Sequence, residues 1–183
     1  MPTRVHTTLL AAMLAALCLL VPGSAFAQST GGAQYQPPAG KAKVRNGKAI
    51  APADAPPEVK KAIAAANRII TKPYKYGGGH AKVEDTGYDC SGTVSYALIK
   101  AGLLKPFPLD SGSFMSWGEA GKGKWISVYA HGGHAYAVIA GLRLDTGYRD
   151  KYVAKWGGAP GSGPRWAGPR NPSGFTVRHP AGL

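Results

Sequence analysis

Acidic residues are scarce in this chain: 9 Asp and Glu stand against 22 Lys and Arg, a formal net charge of +13 over 183 residues. So basic a balance points to anionic polymers such as cell-wall glycopeptide, lipid head groups or nucleic acid. No zinc-ligand set, helix-turn-helix or glycine-rich phosphate loop accompanies the charge, which argues against a nucleic-acid partner. Cysteine is nearly absent, with only Cys18 and Cys90, so a disulfide framework is excluded. Long apolar runs are missing too: the longest, LLAAMLAALCLLV, is too short to span a bilayer comfortably. No internal repeat is present, which rules out a solenoid or array.

That one apolar run has the context of a leader. Arg4 and His6 form a short basic start, Pro22 and Gly23 break the run, and Ala25-Phe26-Ala27 offers a small-x-small cleavage pattern. Residues 1–27 are therefore read as a signal peptide, and the chain as exported to the periplasm, the cell wall or the medium. Leu17 precedes Cys18 where a lipoprotein signal would want a small residue, so no stable membrane anchor is expected. Cleavage removes Arg4 alone among the charged residues and leaves about +12. It also leaves Cys90 unpaired in an oxidising compartment, as a reactive thiol or an intermolecular partner.

Residues 28–56 are rich in Gly, Pro, Ala, Gln and Lys without apolar periodicity and read as a flexible linker. A helix is expected from near Asp54 or the following prolines, burying Val59, Ala62, Ile63, Ala66, Ile69 and Ile70 and ending before Pro73. Residues 57–183 are enough for one domain with one core. Beyond about residue 155, Trp156, Trp166 and Phe175 among glycines, prolines and arginines suggest a loop-rich flap packed on that domain.

The chain is organised around GYDCSG, residues 87–92, which runs directly into TVSYALIKAGLL. Asp89 is a good N-cap and puts Cys90 at the first helical position, where the partial positive charge of a helix start favours thiolate over thiol. Val94, Leu98 and Ala101 recur at helical spacing, and Gly102 is a natural stop. A nucleophile needs a rigid support of this kind. It also needs a base to hold and return a proton, and a third group to orient the base. Of four histidines beyond the leader, His179 sits in a proline-bounded tail and is expected to be exposed, while His80, in a loop ahead of Cys90, could line the site, although a loop histidine is more often solvated. His131 and His134 bracket two glycines; as a metal pair they lack a third ligand at useful spacing. His134 is the better base, because AYAVIAG has strand character and a strand can present its first side chain over a helix start.

Tyr74-Lys75-Tyr76-Gly77-Gly78 followed by DCSG, with HGGHAYAVIAG at 131–141 downstream, resembles the NlpC family of papain-like cysteine peptidases of bacterial cell walls. The resemblance covers roughly residues 57–145. It implies an α+β, papain-like fold in which N-terminal helices carrying Cys90 pack on a small antiparallel sheet. It also implies that His134 is the catalytic base, that the Tyr74 hydroxyl helps stabilise the oxyanion, and that Asp89 and Ser91 contact substrate. Many members carry a Pro-Gly-Asp turn ahead of the histidine strand; here GKGKWISVYAHGG fills that space.

The family's third member is a polar residue on the strand after the histidine strand, for which LRLDTGY offers Arg143, Asp145 and Thr146. A reversal centred at Ala140-Gly141 would set Asp145 opposite Tyr136, on the same face as His134 and one diagonal step away, while a one-residue slip would turn it to the other face. Asp145 is therefore the candidate orienter, with a simple turn aspartate as the alternative reading. The expected activity is hydrolysis of an amide bond in peptidoglycan stem peptides, the D-glutamyl–diamino acid bond being the one the family implies. No cofactor or metal is needed, the partners are muropeptides and the anionic wall surface, and a monomer is expected. A thiol amidase or acyltransferase, and a catalytically inactive basic wall-binding module, stay open.

Overall fold

The computed structural model describes Met1 and residues 40–147 and 163–183. The leader, Cys18, residues 28–39 and Trp156 lie outside the described residues. Eleven elements follow one another among those described: β1 Lys43–Arg45, β2 Lys48–Ile50, α1 Pro57–Ile69, α2 Cys90–Ala101, α3 Ser111–Phe114, β3 Glu119–Ala120, β4 Ile126–His131, β5 His134–Ile139, β6 Leu142–Asp145, β7 Arg165–Ala167 and β8 Thr176–His179. The architecture is α+β. A two-stranded hairpin of β1 and β2 stands beside a six-stranded sheet ordered β3-β8-β4-β5-β6-β7, antiparallel throughout.

Helix α1 starts where proline dictates: Pro57 takes a position whose N–H would be unpaired anyway. Its buried residues are Val59, Ala62, Ile63, Ala65, Ala66 and Ile69, close to the expected stripe, with Ile70 packed at the margin. Helix α2 differs from an ordinary surface helix. Asp89 caps it, Gly102 ends it in the left-handed conformation, and nine of its twelve residues are buried, including Ser91, Thr93 and Ser95. It can be buried nearly all round because most of its residues are small or apolar. It is sandwiched between α1 and the β5–β6 part of the sheet. Val59, Val94, Leu98, Phe114, Ile126, Val128, Ile139 and Leu144 are essentially fully buried in the shared core. Each contributes about 1.5–3 kcal/mol by leaving water.

The central hairpin is set by its turns. Gly132-Gly133 joins β4 to β5 with His131 opposite His134. Ala140 and Gly141, both at positive φ, join β5 to β6 with Ile139 opposite Leu142. This is the expected reversal, and its register of Ala137 opposite Leu144 runs on to set Asp145 level with Tyr136.

Two regions differ from the sequence reading. Within the supposed linker, residues 43–50 form a hairpin, and Ala42 and Ala49 are buried in the main core. Alanine and valine give too faint an apolar pattern to announce it. Its anchor is a polar side chain from another element: Asn67 of α1 accepts from Ala49 N at 2.9 Å and donates to Ala49 O at 2.8 Å. At the other end of the chain, the supposed flap contributes two strands. Trp166 in β7 is buried and donates its Nε1–H to Asn67 at 2.8 Å, and β8 pairs with β4 in mid-sheet. The sheet is thereby larger than expected. These strands are three and four residues long, and glycine and proline around them hide their pattern.

Candidate active site

Cys90 is half-buried at the first position of α2, directly after the Asp89 cap. Two close approaches hold it there. A Cβ on Gly92 would collide with the carbonyl of Gly78, and one on Gly78 would collide with the carbonyl of Gly87. The glycines of YGGG and of DCSG thus let the loop lie directly against the helix start. Burial works against the thiolate, but a hydrogen bond with His134, the backbone N–H of Ala135 and the charge of His134 outweigh it, and the thiol pKa is lowered from its usual 9.0.

His134 opens β5, and its Nε2 stands 2.8 Å from Asp145 Oδ1, so Nδ1 is the nitrogen left for the thiol. Burial would lower the imidazole pKa, yet the hydrogen bonds with Asp145 and Cys90 and the negative charge of both raise it from 6.5 to about 9. Asp145 has a completely buried side chain. Besides His134 it accepts from Gly147 N at 2.9 Å, from Arg143 Nη1, and from Arg170 Nη1 at 3.3 Å. Burial pushes its carboxyl up; His134, Arg143 and the Gly147 N–H pull it down further, to about 2. Buried and surrounded by donors, it is a fixed anion behind the ring.

The C-terminal segment completes this support, which no sequence pattern announced. The Arg170 guanidinium lies 5.5 Å from the Tyr136 ring centroid and 5.1 Å from that of Phe175. Phe175 in turn meets His131 at 4.5 Å and Tyr136 at 5.1 Å between centroids. His131 thereby packs on Phe175, while its Nδ1 accepts from Gly133 N at 3.1 Å.

Tyr74 reaches the site through a short parallel bridge with Tyr88, in which Tyr88 N donates to Pro73 O at 3.1 Å and Lys75 N to Tyr88 O at 3.2 Å. Its side chain is partly exposed, and its phenol pKa is raised by burial and then by the negative charge of Cys90 and Asp89. Asp89 Oδ1 accepts from Gly92 N at 2.7 Å and from Ser91 Oγ at 3.2 Å, and Oδ2 from Gly77 N at 3.1 Å. His80 joins them rather than facing solvent: its Nε2 lies 3.1 Å from Asp89 Oδ1 and 3.2 Å from Ser91 Oγ. His179, expected to be exposed, lies half-buried in β8 with Nδ1 at 3.1 Å from Gly121 O. Among the described residues, no three His, Cys, Asp or Glu side chains group to hold a metal ion.

The fold therefore brings Cys90, His134, Asp145 and Tyr74 to one place, with Asp89 and Ser91 beside them. Arg143 enters as the partner of Asp145 rather than of His134, while Thr146 is buried next to it. Compared with protein-family models, curated proteins and solved structures, the chain matches none. No helix among the described residues is long and apolar enough to cross a membrane.

Proposed function

We propose that the chain is an exported cysteine peptidase with a papain-like fold that hydrolyses amide bonds in peptidoglycan stem peptides, at the D-glutamyl–diamino acid bond. The observation that carries the reading is the Cys90–His134–Asp145 array: a depressed thiol at a helix start, bonded to an imidazole whose far nitrogen is held at 2.8 Å by a buried carboxylate. A structural cysteine has no need of the other two. The chemistry follows from the geometry. Cys90 Sγ attacks the carbonyl carbon, and the oxyanion is met by the Cys90 backbone N–H, which has no intrahelical acceptor, and by the Tyr74 hydroxyl. His134 gives its proton to the leaving amine as the C–N bond breaks, leaving a thioester. Water, deprotonated by the same imidazole, releases the acid. The substrate class rests on the resemblance in the loop and helix start and on the strongly basic balance that remains once the leader is removed, which suits an anionic wall.

The test is incubation with defined muropeptides and mass analysis of the products. Cleavage within the stem, lost in Cys90→Ser with the fold retained, supports the reading. Cleavage at the glycan–peptide link identifies an amidase, and transfer to an added amine an acyltransferase. Wall binding without any Cys90-dependent product overturns the enzyme.

A further inference from the structure

Part of the net charge gathers on one small surface, the hairpin of β1 and β2. Its outward side chains alternate with buried ones: Lys41, Lys43, Arg45 and Lys48 are exposed, while Ala42 and Ala49 face the core. No acid lies between residues 40 and 50. Asn46 and Gly47, both at positive φ, make the turn, and the resulting register sets Arg45 directly opposite Lys48. Like charges at directly paired positions destabilise a hairpin, and nothing in the described structure relieves them. Ion pairs among the described residues engage Lys75, Lys100, Arg143, Arg170 and the histidines His80, His134 and His179; the four hairpin cations take part in none. The hairpin is held in spite of its charge, by the Asn67 clamp on Ala49 and by Ala42 N donating to Ala140 O at 2.9 Å.

We propose that the outward face of this hairpin is a docking site for a phosphodiester-linked, base-free polymer of the cell envelope. Alternate residues on a strand repeat at about 6.6–6.8 Å, so Lys43 and Arg45 can meet successive charges of an extended chain while Lys48 closes on the same stretch from the neighbouring strand. The face carries no aromatic ring on which a base could stack, unlike single-strand nucleic-acid sites. Its one exposed apolar side chain, Ile50, is too little to enter a bilayer. The envelope location rests on the exported reading above; the charge chemistry of the face does not. None of these residues belongs to the Cys90 site, so the face would hold the protein on the wall while hydrolysis proceeds elsewhere on the chain.

The experiment uses the full chain and poly(glycerol phosphate), with single-stranded DNA and phosphatidylglycerol vesicles of matched charge as competitors. Lys43→Gln/Arg45→Gln/Lys48→Gln is compared with Lys82→Gln/Lys105→Gln/Lys122→Gln, which changes net charge equally at exposed lysines on other segments. The hairpin variant should bind roughly a hundredfold more weakly at low salt, at about fivefold per lost cation, and its salt slope should fall by about three. The control should lose little, and hydrolysis of small soluble muropeptides should be unchanged in both. Should the triple variant melt early, Lys43→Gln and Lys48→Gln singly, each about fivefold weaker, carry the test. Equal losses in hairpin and control variants, or tighter binding to DNA or vesicles than to the polymer, overturn the proposal whether or not the chain hydrolyses muropeptides.

Discussion

Replacing Asp145 by Asn changes one charge at the centre of the candidate site and keeps the shape. In the native protein the carboxylate stands 2.8 Å from His134 Nε2 and is shared with Gly147 N, Arg143 and Arg170. The rise of the imidazole pKa from 6.5 to about 9 amounts to about 3 kcal/mol in favour of the imidazolium, and it is reached against the opposing effect of burial. Asn can still accept the ring N–H but cannot support its charge. His134 should therefore fall back toward or below 6.5, and the Cys90 thiol should rise as its ion pair weakens. We predict a loss of turnover of about 10²–10⁴-fold, the range expected when the group behind a catalytic histidine loses its charge. A second consequence runs through stability. Arg143, itself almost wholly buried, loses the anion it pairs with; breaking a buried pair by removing one partner costs about 3–5 kcal/mol. The double variant Asp145→Asn/Arg143→Met should regain much of the melting temperature and none of the thiolate. The assays are single-turnover cleavage of a muropeptide, thiol alkylation rate against pH, and thermal melting. An alkylation midpoint that stays put, together with turnover within about threefold of wild type, would falsify the orienting role of Asp145.

Cleavage rate against pH should be bell-shaped, rising as Cys90 ionises below its usual 9.0 and falling near 9 as His134 loses its proton; a plateau persisting well above 9 refutes the ion pair. Acid stability should carry the mark of Asp145. Its carboxyl is held at about 2 when folded against 3.8 when free, so its contribution is complete above 3.8 and drains away as pH falls toward 2. Melting curves of Asp145→Asn over that window should lose this part of the slope, and an unchanged slope would assign it elsewhere. Gly92→Ala should lower both stability and alkylation rate, because the new methyl meets the Gly78 carbonyl and must push the loop off the helix start; a wild-type melt and rate would show that the loop gives way at no cost.

Much of the site could be read along the chain because its parts are local. An N-cap followed by a cysteine, and a glycine that stops the helix twelve residues on, are dictated within a few residues, and both stand as the sequence implied. Even the pairing of His134 with Asp145 follows from a two-residue turn at Ala140-Gly141, since strand periodicity carries the register from there. His80 was left between two readings for the complementary reason. Whether a loop histidine faces water or a carboxylate depends on where the loop closes, and here it closes on Asp89 and Ser91.

Only the tertiary structure decided what backs the array. Arg170 and Phe175 lie 25 or more residues beyond Asp145, past segments whose glycines and prolines carry no period, and their approach to Tyr136 depends on β8 entering the sheet beside β4. The hairpin at 43–50 is held by Asn67 and Ala140, residues whose role as anchors is invisible until α1 and β5 are packed. Short-range stereochemistry thus determined Cys90 at its helix start and the hairpin that carries His134. Long-range pairing, which a single chain does not spell out, determined how His134 and the Asp145 carboxylate are enclosed.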